Sequence, residues 1–487
     1  MKNILFTHDY FLHFDPKQWS IGLPYPPLGT LYAAALLREN GYNVSVFDVM
    51  FAKHPDELIP EMDKAQPAVV VIYDDGFNYL TKMCLTNMRE AAFRMIALAK
   101  QRNCIVIMSG SDSTDHNEVY LAKGADFILI GEGEITLSEL ILALEDDDPN
   151  LSVIPGIAYK KDQSIIKNQS RQVLRDLDSL PFPAYDLIDI KPYKDSWIKN
   201  AGYFSLNMTT TRGCPFKCNW CAKPIYGNRY NVRSPQNVVE ELKLLKQQYG
   251  FDHIWFCDDI FGLKPGWVKE FADILTREKV SLRFKIQARA DLLQEEELVK
   301  ALAVAGCDNA WIGAESGSQK ILDAMDKGTN VQQITNATVL LKKYGIKPSF
   351  FIQFGYPGET KEDISMTINM INRLLPHEIG ISVSYPLPGT LFYEKVKNQL
   401  QTKSNWSDSD EMALMFRNTY QPQFYKKLHS YVHKNYRKHI AFENIKKISA
   451  HPFTLGRSNL RKALSAIYYI PATFLDKIKL NKLGKAI

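Results

Sequence analysis

The sequence predicts an α/β protein in two parts: an N-terminal doubly wound, flavodoxin-like sheet of the Rossmann type, then a partial (β/α)6, TIM-like barrel, with a helical region after it. Three observations predict this. Short apolar runs alternate with amphipathic helical stretches over residues 1–145. The alternation restarts near residue 201 and yields six strand–helix units by residue 390. Between the two series, residues 146–200 are rich in turn residues and Pro, which disfavours helix before it and reads as a linker. Residues 391–487 form the last unit, basic and mostly helical.

In the first unit, residues 3–7, 43–49, 67–73, 105–109 and 126–130 read as strands. Helices are expected at 28–40, closed by Gly41, at 88–102 and at 136–144. Strands this apolar, separated by helices, belong to a parallel sheet covered on both faces. Ligands bind outside the carboxyl ends of such strands. The residues there are Thr7-His8-Asp9, Asp74-Asp75-Gly76, Ser109-Gly110-Ser111 and Gly131-Glu132-Gly133. The same residue types also serve ordinary strand–helix turns.

In the second unit a strand at 204–210 leads into Cys214-Pro-Phe-Lys-Cys218-Asn-Trp-Cys221. Ser234-Pro235 opens a helix that stops at Gly250, Ser accepting an orphan N–H and Pro occupying the first helical position. Further strands follow at 253–257, 283–288, 309–313, 348–354 and 380–385, each followed by helical pattern or loop.

The chain has seven Cys, three of them within eight residues, which is a metal-binding or catalytic pattern rather than a disulfide framework. Cys257 sits at a strand end, where barrel lining, a fourth ligand or a substrate thiol are all open, and Cys84, Cys104 and Cys307 read as packing residues. No run of about 20 apolar residues exists, and the apolar start of the chain is too short for a signal peptide, so a cytoplasmic protein is expected. Residues 421–487 carry 14 Lys and Arg against two acids, leaving formal −7 on the rest of a chain of net +5. This is a solvated basic tail or a contact for an anionic partner. The apolar stretch 463–475 is too short to span a bilayer and is suited to lying on one.

Three thiolates in one tight loop can hold three corners of an iron–sulfur cubane, where an electron-transfer cluster takes four protein ligands; the bare pattern also admits a zinc site or chance. The open iron is then free for a ligand, as at catalytic metal sites. Trp220 can offer an aromatic face to a planar molecule.

The loop resembles the signature of the radical-SAM superfamily. Further stretches match at successive strand ends: Asp258-Asp259, Gln287-Ala288-Arg289, Gly313-Ala314-Glu315-Ser316-Gly317-Ser318 and Gln353-Phe354-Gly355-Tyr356-Pro357-Gly358-Glu359-Thr360. The preceding domain, with Tyr25-Pro26-Pro27-Leu28-Gly29-Thr30 and Gly131-Glu132-Gly133-Glu134, resembles the cobalamin-binding class of that superfamily over about residues 1–390. The resemblance implies a 4Fe-4S cluster on Cys214, Cys218 and Cys221, and S-adenosyl-L-methionine near Trp220, Asp258, Asp259, Arg289, Glu315, Ser316, Gln353 and Gly355. It implies cobalamin near Thr7, Pro27, Leu28, Asp74, Ser109, Gly110, Ser111, Gly131, Glu132 and Gly133. The implied chemistry is S-adenosylmethionine cleavage to a 5′-deoxyadenosyl radical and methylation of an unactivated carbon of a small molecule through methylcobalamin. The non-methylating alternative is an oxidative cyclase, and a non-catalytic metal-binding protein is the remote one. A flavodoxin or ferredoxin electron donor is implied, the substrate is expected to be anionic or lipid-like, and nucleic acid is not an expected partner. The Asp-x-His-x-x-Gly motif that ligates cobalt in other cobalamin domains is absent, and His8, His13 and His116 read as polar surface or turn residues.

Overall fold

A computed structural model of the chain describes residues 3–83, 85–221, 226–400, 405–450 and 456–484. Cys84 lies outside the described residues. The first sheet contains β1 (Asn3–Thr7), β2 (Asn43–Val46), β3 (Val69–Tyr73), β4 (Ile105–Ser109), β5 (Phe127–Leu129), β6 (Ile157–Lys161) and β7 (Ser164–Lys167). Its order is β2-β1-β3-β4-β5-β6-β7, with the first five strands parallel. That is the flavodoxin-like order, with its switch point between β1 and β3. Alternate residues of these strands feed two cores: Leu5, Val70, Ile72, Val106 and Met108 face one side, Ile4, Phe6, Val69, Val71 and Ile107 the other. Burial on both faces explains why the strands read as unbroken apolar runs.

The stretch read as a linker contributes β6 and β7, an antiparallel hairpin that extends the sheet beyond β5. Only Ile157, Ala158 and Tyr159 are buried in it, so its apolar pattern is too short to stand out against the flanking turn residues. Helix Lys191–Ala201 follows, anchored by Trp197, whose Nε1 donates to the Pro24 carbonyl at 2.7 Å.

After β8 (Ser205–Met208) come β9 (Thr211–Arg212) and β10 (Asn231–Val232), a short antiparallel pair. The second sheet is completed by β11 (His253–Phe256), β12 (Phe284–Ala288), β13 (Cys307–Glu315), β14 (Lys347–Phe354) and β15 (Glu378–Val383). Its six strands are all parallel and in chain order, β8-β11-β12-β13-β14-β15. This is a curled half-barrel, and its helices pack outside it through residues such as Phe271, Leu302 and Leu341.

Helix Pro422–Ala450 lies against barrel helix Lys361–Leu374; Asn435 Nδ2 donates to Asn372 Oδ1 at 3.0 Å, and Tyr436 caps the Pro376 carbonyl at 2.7 Å. Helix Ala466–Leu483 folds back along it, with Asp476 taking Lys427 at 2.8 Å and Lys434 at 2.7 Å. No helix among the described residues is long and apolar enough to cross a membrane.

Candidate active site between two sheet edges

The carboxyl ends of both sheets face each other, and the joint is built from polar side chains. Arg212, two residues before Cys214, donates through Nη1 to Glu132 and through Nη2 to Glu134 at 2.8 Å. Its guanidinium also lies over the rings of Tyr32, Phe77 and Tyr226, each 5.2–5.4 Å away. The exit of β5 is thereby tied to the entrance of the cysteine loop. Lys82 of the first unit pairs with Asp259 at 2.9 Å, and Asn207 Nδ2 donates to the Pro26 carbonyl at 3.0 Å.

None of Cys214, Cys218 and Cys221 is in a disulfide. The loop carrying them is pinned by Asn219, which sequence reasoning missed. Its Nδ2 donates to the Ala324 carbonyl at 2.8 Å and to Asp326 at 2.7 Å, and its Oδ1 accepts from the Tyr356 hydroxyl at 2.9 Å. Arg289 stacks its guanidinium 3.6 Å from the Phe216 centroid and points Nη1 at Cys218 Sγ, 3.8 Å away. A fixed cation beside Cys218 suits the net negative charge of a thiolate-bound cluster. Burial, with Asp259 and Cys218 adding to it, pushes the Cys221 thiol up to about 12. A thiolate there therefore needs bound metal cations to stabilise it. Trp220 Nε1 is a buried donor without a partner among the described residues, so this loop holds an orphaned polar atom that a ligand would satisfy. The residues present fit an iron–sulfur cluster with S-adenosylmethionine beside it.

The β13 exit carries the strongest conformational signal. Glu315 has φ +55°, a region that non-glycine residues avoid, and the β13–β14 register shifts between Gly313 and Glu315. Its carboxylate is held by Lys327 at 2.9 Å, and Lys327 in turn lies 5.8 Å from the Trp220 ring. A Cβ on Gly313 would sit 2.6 Å from Lys327 Nζ and 2.9 Å from Glu315 Oε1, so any larger residue there would have to displace the Lys327–Glu315 pair. Backbone strain of this kind concentrates at functional sites. Ser316 is fully buried, bonded to Thr367 Oγ1 at 3.1 Å, and fixes the Gly317-Ser318 turn.

Gln353 donates to Ser384 at 2.9 Å inside the barrel. Gly355 adopts φ +79° and gives its N–H to Glu359 Oε2 at 2.7 Å. Burial holds the Glu359 carboxyl up at about 8 against an ordinary 4.5, and its Oε1 has no partner among the described residues. A raised carboxyl pKa means the folded state keeps a proton that the unfolded state releases. Stability on this account therefore falls as pH rises from about 4.5 to about 8, by about 1.4 kcal/mol per pKa unit. Glu359→Gln should abolish that fall: its melting temperature should exceed wild type at pH 8 and match it near pH 5. Parallel melting curves for the two proteins would show that Glu359 titrates normally.

Asp258 differs from expectation. Its carboxylate accepts from Thr209 Oγ1 at 2.9 Å, from Thr210 N and Oγ1 at 2.7 and 2.6 Å, and from Thr211 N at 2.9 Å. Four donors occupy it fully, so it shapes the turn before the cysteine loop. Asp259, beside it, is partly exposed. Cys257 gives its S–H to the Met208 carbonyl at 3.2 Å and lies buried in the barrel wall. Cys104 and Cys307 likewise donate to nearby carbonyls.

Across the joint, Thr7, Leu28, Asp74, Ser109 and Ser111 are buried at the first sheet's edge, with Pro27 and Gly131 beside them. A Cβ on Gly110 would lie 2.3 Å from Asp74 Oδ2, and one on Gly133 would lie 2.8 Å from Ser109 Oγ. Asp9 N donates to Asp74 at 3.4 Å; Asp112, paired with Arg89, lies nearby. Burial pushes the Asp9 carboxyl up to about 6 and Asp74 well above the usual range. Buried carboxyl and hydroxyl groups of this kind are partners for amide side chains such as those on a corrin ring, and the set fits cobalamin.

His8 corrects the reading of the histidines. It is 1 % exposed, its Nδ1 accepts from Tyr10 N at 3.3 Å, and its Nε2 faces Asp48 at 2.8 Å. Both ring nitrogens are engaged. The sequence signal was misleading because Asp48 lies 40 residues away.

Comparison with known proteins places these edges. Residues 208–371 match the family model of the radical SAM superfamily, and residues 19–141 match the B12 binding domain. An uncharacterised methyltransferase of Pyrococcus horikoshii is 29 % identical, over 79 % of this chain and 82 % of its own. The hopanoid C-3 methylase of Methylococcus capsulatus is 25 % identical over 93 % of this chain and 86 % of its own. The solved structure of the cobalamin-dependent S-adenosylmethionine radical enzyme OxsB, with aqua-cobalamin and S-adenosylmethionine bound, superposes with a TM-score of 0.76 at 16 % identity. It covers 98 % of this chain and 72 % of that one, so the two share their fold.

Proposed function

We infer that this chain, which belongs to the radical SAM superfamily and carries a B12 binding domain, is a cobalamin-dependent methyltransferase acting on an unactivated carbon of a small molecule. The observation that carries this reading is the Arg212 joint, which ties the β5 exit to the cysteine loop and so sets one ligand edge against the other. We divide the chain at 1–145, 146–200, 201–390 and 391–487, with that joint between the first and third units.

Cys214, Cys218 and Cys221 hold the cluster, and Arg289 offsets its charge. Trp220, Asp259, Glu315, Ser316, Gln353 and Gly355 surround S-adenosylmethionine, with Glu315, held in place by Lys327, accepting from its hydroxyl or ammonium groups. Asp258 acts through the turn it braces. Thr7, Pro27, Leu28, Asp74, Ser109, Gly110, Ser111, Gly131, Glu132 and Gly133 form the cobalamin edge. When bound, the cofactors supply hydrogen abstraction and methyl transfer; the protein supplies position and exclusion of water. A cytoplasmic flavodoxin- or ferredoxin-type donor supplies the electron. An apolar, lipid-like substrate is supported by the alignment with the hopanoid methylase, which extends over 93 % of this chain.

The test is anaerobic. The protein, reconstituted with iron, sulfide and cobalamin and reduced with S-adenosylmethionine, should form both 5′-deoxyadenosine and S-adenosylhomocysteine. 5′-Deoxyadenosine alone would overturn methyl transfer and leave non-methylating radical chemistry, as in an oxidative cyclase. Neither product would overturn the enzyme reading.

A further inference from the structure

The C-terminal helix has two faces, and among the described residues only one has a partner. Ala466, Thr473, Asp476 and Leu480 are buried against helix Pro422–Ala450. On the opposite side Ile467, Phe474, Leu475 and Ile478 are 76 %, 65 %, 57 % and 40 % exposed, with Tyr468 and Ile470 beside them at 60 % and 46 %. Their spacing is that of one helical stripe. The preceding helix, Arg457–Leu464, adds Leu460 and Leu464, exposed at 53 % and 56 %. Isolated exposed apolar residues are ordinary, but eight on adjacent helices mark an interaction surface.

Charge identifies the partner. Lys477, Lys479 and Lys482 lie exposed at the stripe's margins, and Arg461 and Lys462 lie beside Leu460 and Leu464. Arg461 and Lys462 also line a cleft of about 930 Å³ together with Lys342, Lys347 and Lys447, and the single acid lining it is Glu443. The one acid of the last helix, Asp476, is turned inward and spent on Lys427 and Lys434. A second copy of this surface would bring like charges together. Nucleic acid would engage the cations and leave the apolar stripe in water. A surface with an apolar stripe between cations matches the boundary between acyl chains and anionic headgroups, where lysine stems lie along the apolar layer and their ammonium groups reach phosphate.

We propose that helices Arg457–Leu464 and Ala466–Leu483 dock flat on an anionic lipid bilayer, with the Ile467–Phe474–Ile478 stripe entering the acyl boundary. The proposal goes beyond the methyltransferase reading and stands without it. The test is co-sedimentation of the purified full chain with phosphatidylcholine vesicles with and without phosphatidylglycerol. Wild type should partition at least roughly tenfold better onto the anionic vesicles. The double substitution Ile467→Glu, Phe474→Glu should reduce that partitioning by roughly tenfold or more, with unchanged circular dichroism and melting temperature. Binding that the double substitution leaves intact would be charge-only binding and would overturn the proposal. So would wild type remaining in the supernatant, or a dimer in gel filtration that the substitutions dissociate.

Discussion

Cys221→Ala should leave the chain folded and unable to hold a complete cluster. After anaerobic reconstitution we expect iron and sulfide well below wild type, loss of the broad visible absorbance of the cluster, and 5′-deoxyadenosine formation lower by about three orders of magnitude or more. The residue is placed for this. Its thiol lies in the loop that Asn219 pins to the Ala324–Asp326 segment, with Trp220 one position before it. A buried thiol whose proton is held up to about 12 does not ionise on its own at neutral pH, so cluster assembly at this position is what drives the proton off. Cys257→Ala is the matched control. Its S–H is already used on the Met208 carbonyl and it belongs to the barrel wall. Losing that bond and a small volume should cost about 1–2 kcal/mol of stability and no iron. Full iron in Cys221→Ala, or iron lost equally from both variants, would remove the three-cysteine assignment.

Much of the fold is legible because its signals are local. Short β-branched runs such as Val69-Val70-Val71-Ile72 read as strands buried on two faces, and the switch between strand and helix periods marks each β/α unit. Glycine and acidic residues at strand ends likewise point to the two edges that the structure brings together. What the sequence hides are partnerships. Nothing near residue 212 announces that its guanidinium will meet carboxylates 78 and 80 residues earlier. Asp258 and Asp259 are indistinguishable in sequence, yet one is consumed by Thr209–Thr211 and the other faces Lys82 across the joint. Glu359 reads as part of a loop motif, and only its burial reveals a carboxyl that keeps its proton. The Glu315 conformation is also invisible beforehand, although the glycines on either side of it hint at crowding.

Arg212→Gln should damage both the stability of the joint and the cooperation across it. The arginine side chain is 3 % exposed, and its partners Glu132 and Glu134 are 6 % and 2 % exposed. Removing the cation leaves two carboxylates side by side in a buried, aromatic-lined space. Breaking a buried pair in this way costs about 3–5 kcal/mol, because the remaining charges have lost their solvent and gained nothing. A lower melting temperature is therefore expected, but it would not by itself distinguish a clamp from a packing residue. The triple substitution Arg212→Met, Glu132→Gln, Glu134→Gln separates them. Neutralising all three groups removes the unpaired charges, and such replacements are often neutral in stability. The triple variant should therefore melt near wild type while the spacing between the β5 exit and the cysteine loop is no longer fixed. S-Adenosylmethionine cleavage depends on groups within the half-barrel and should stay within a few-fold of wild type. Methyl transfer depends on registration of one sheet edge against the other, and a misplacement of about 1 Å can cost about 10²-fold. Because Glu132 also belongs to the cobalamin edge, the expected signature is a fall in the ratio of S-adenosylhomocysteine to 5′-deoxyadenosine in a protein of restored stability and unchanged cobalamin content. If both products fall together in the triple variant, Arg212 serves cluster assembly rather than the alignment of the two edges; if neither falls, the joint contributes stability alone.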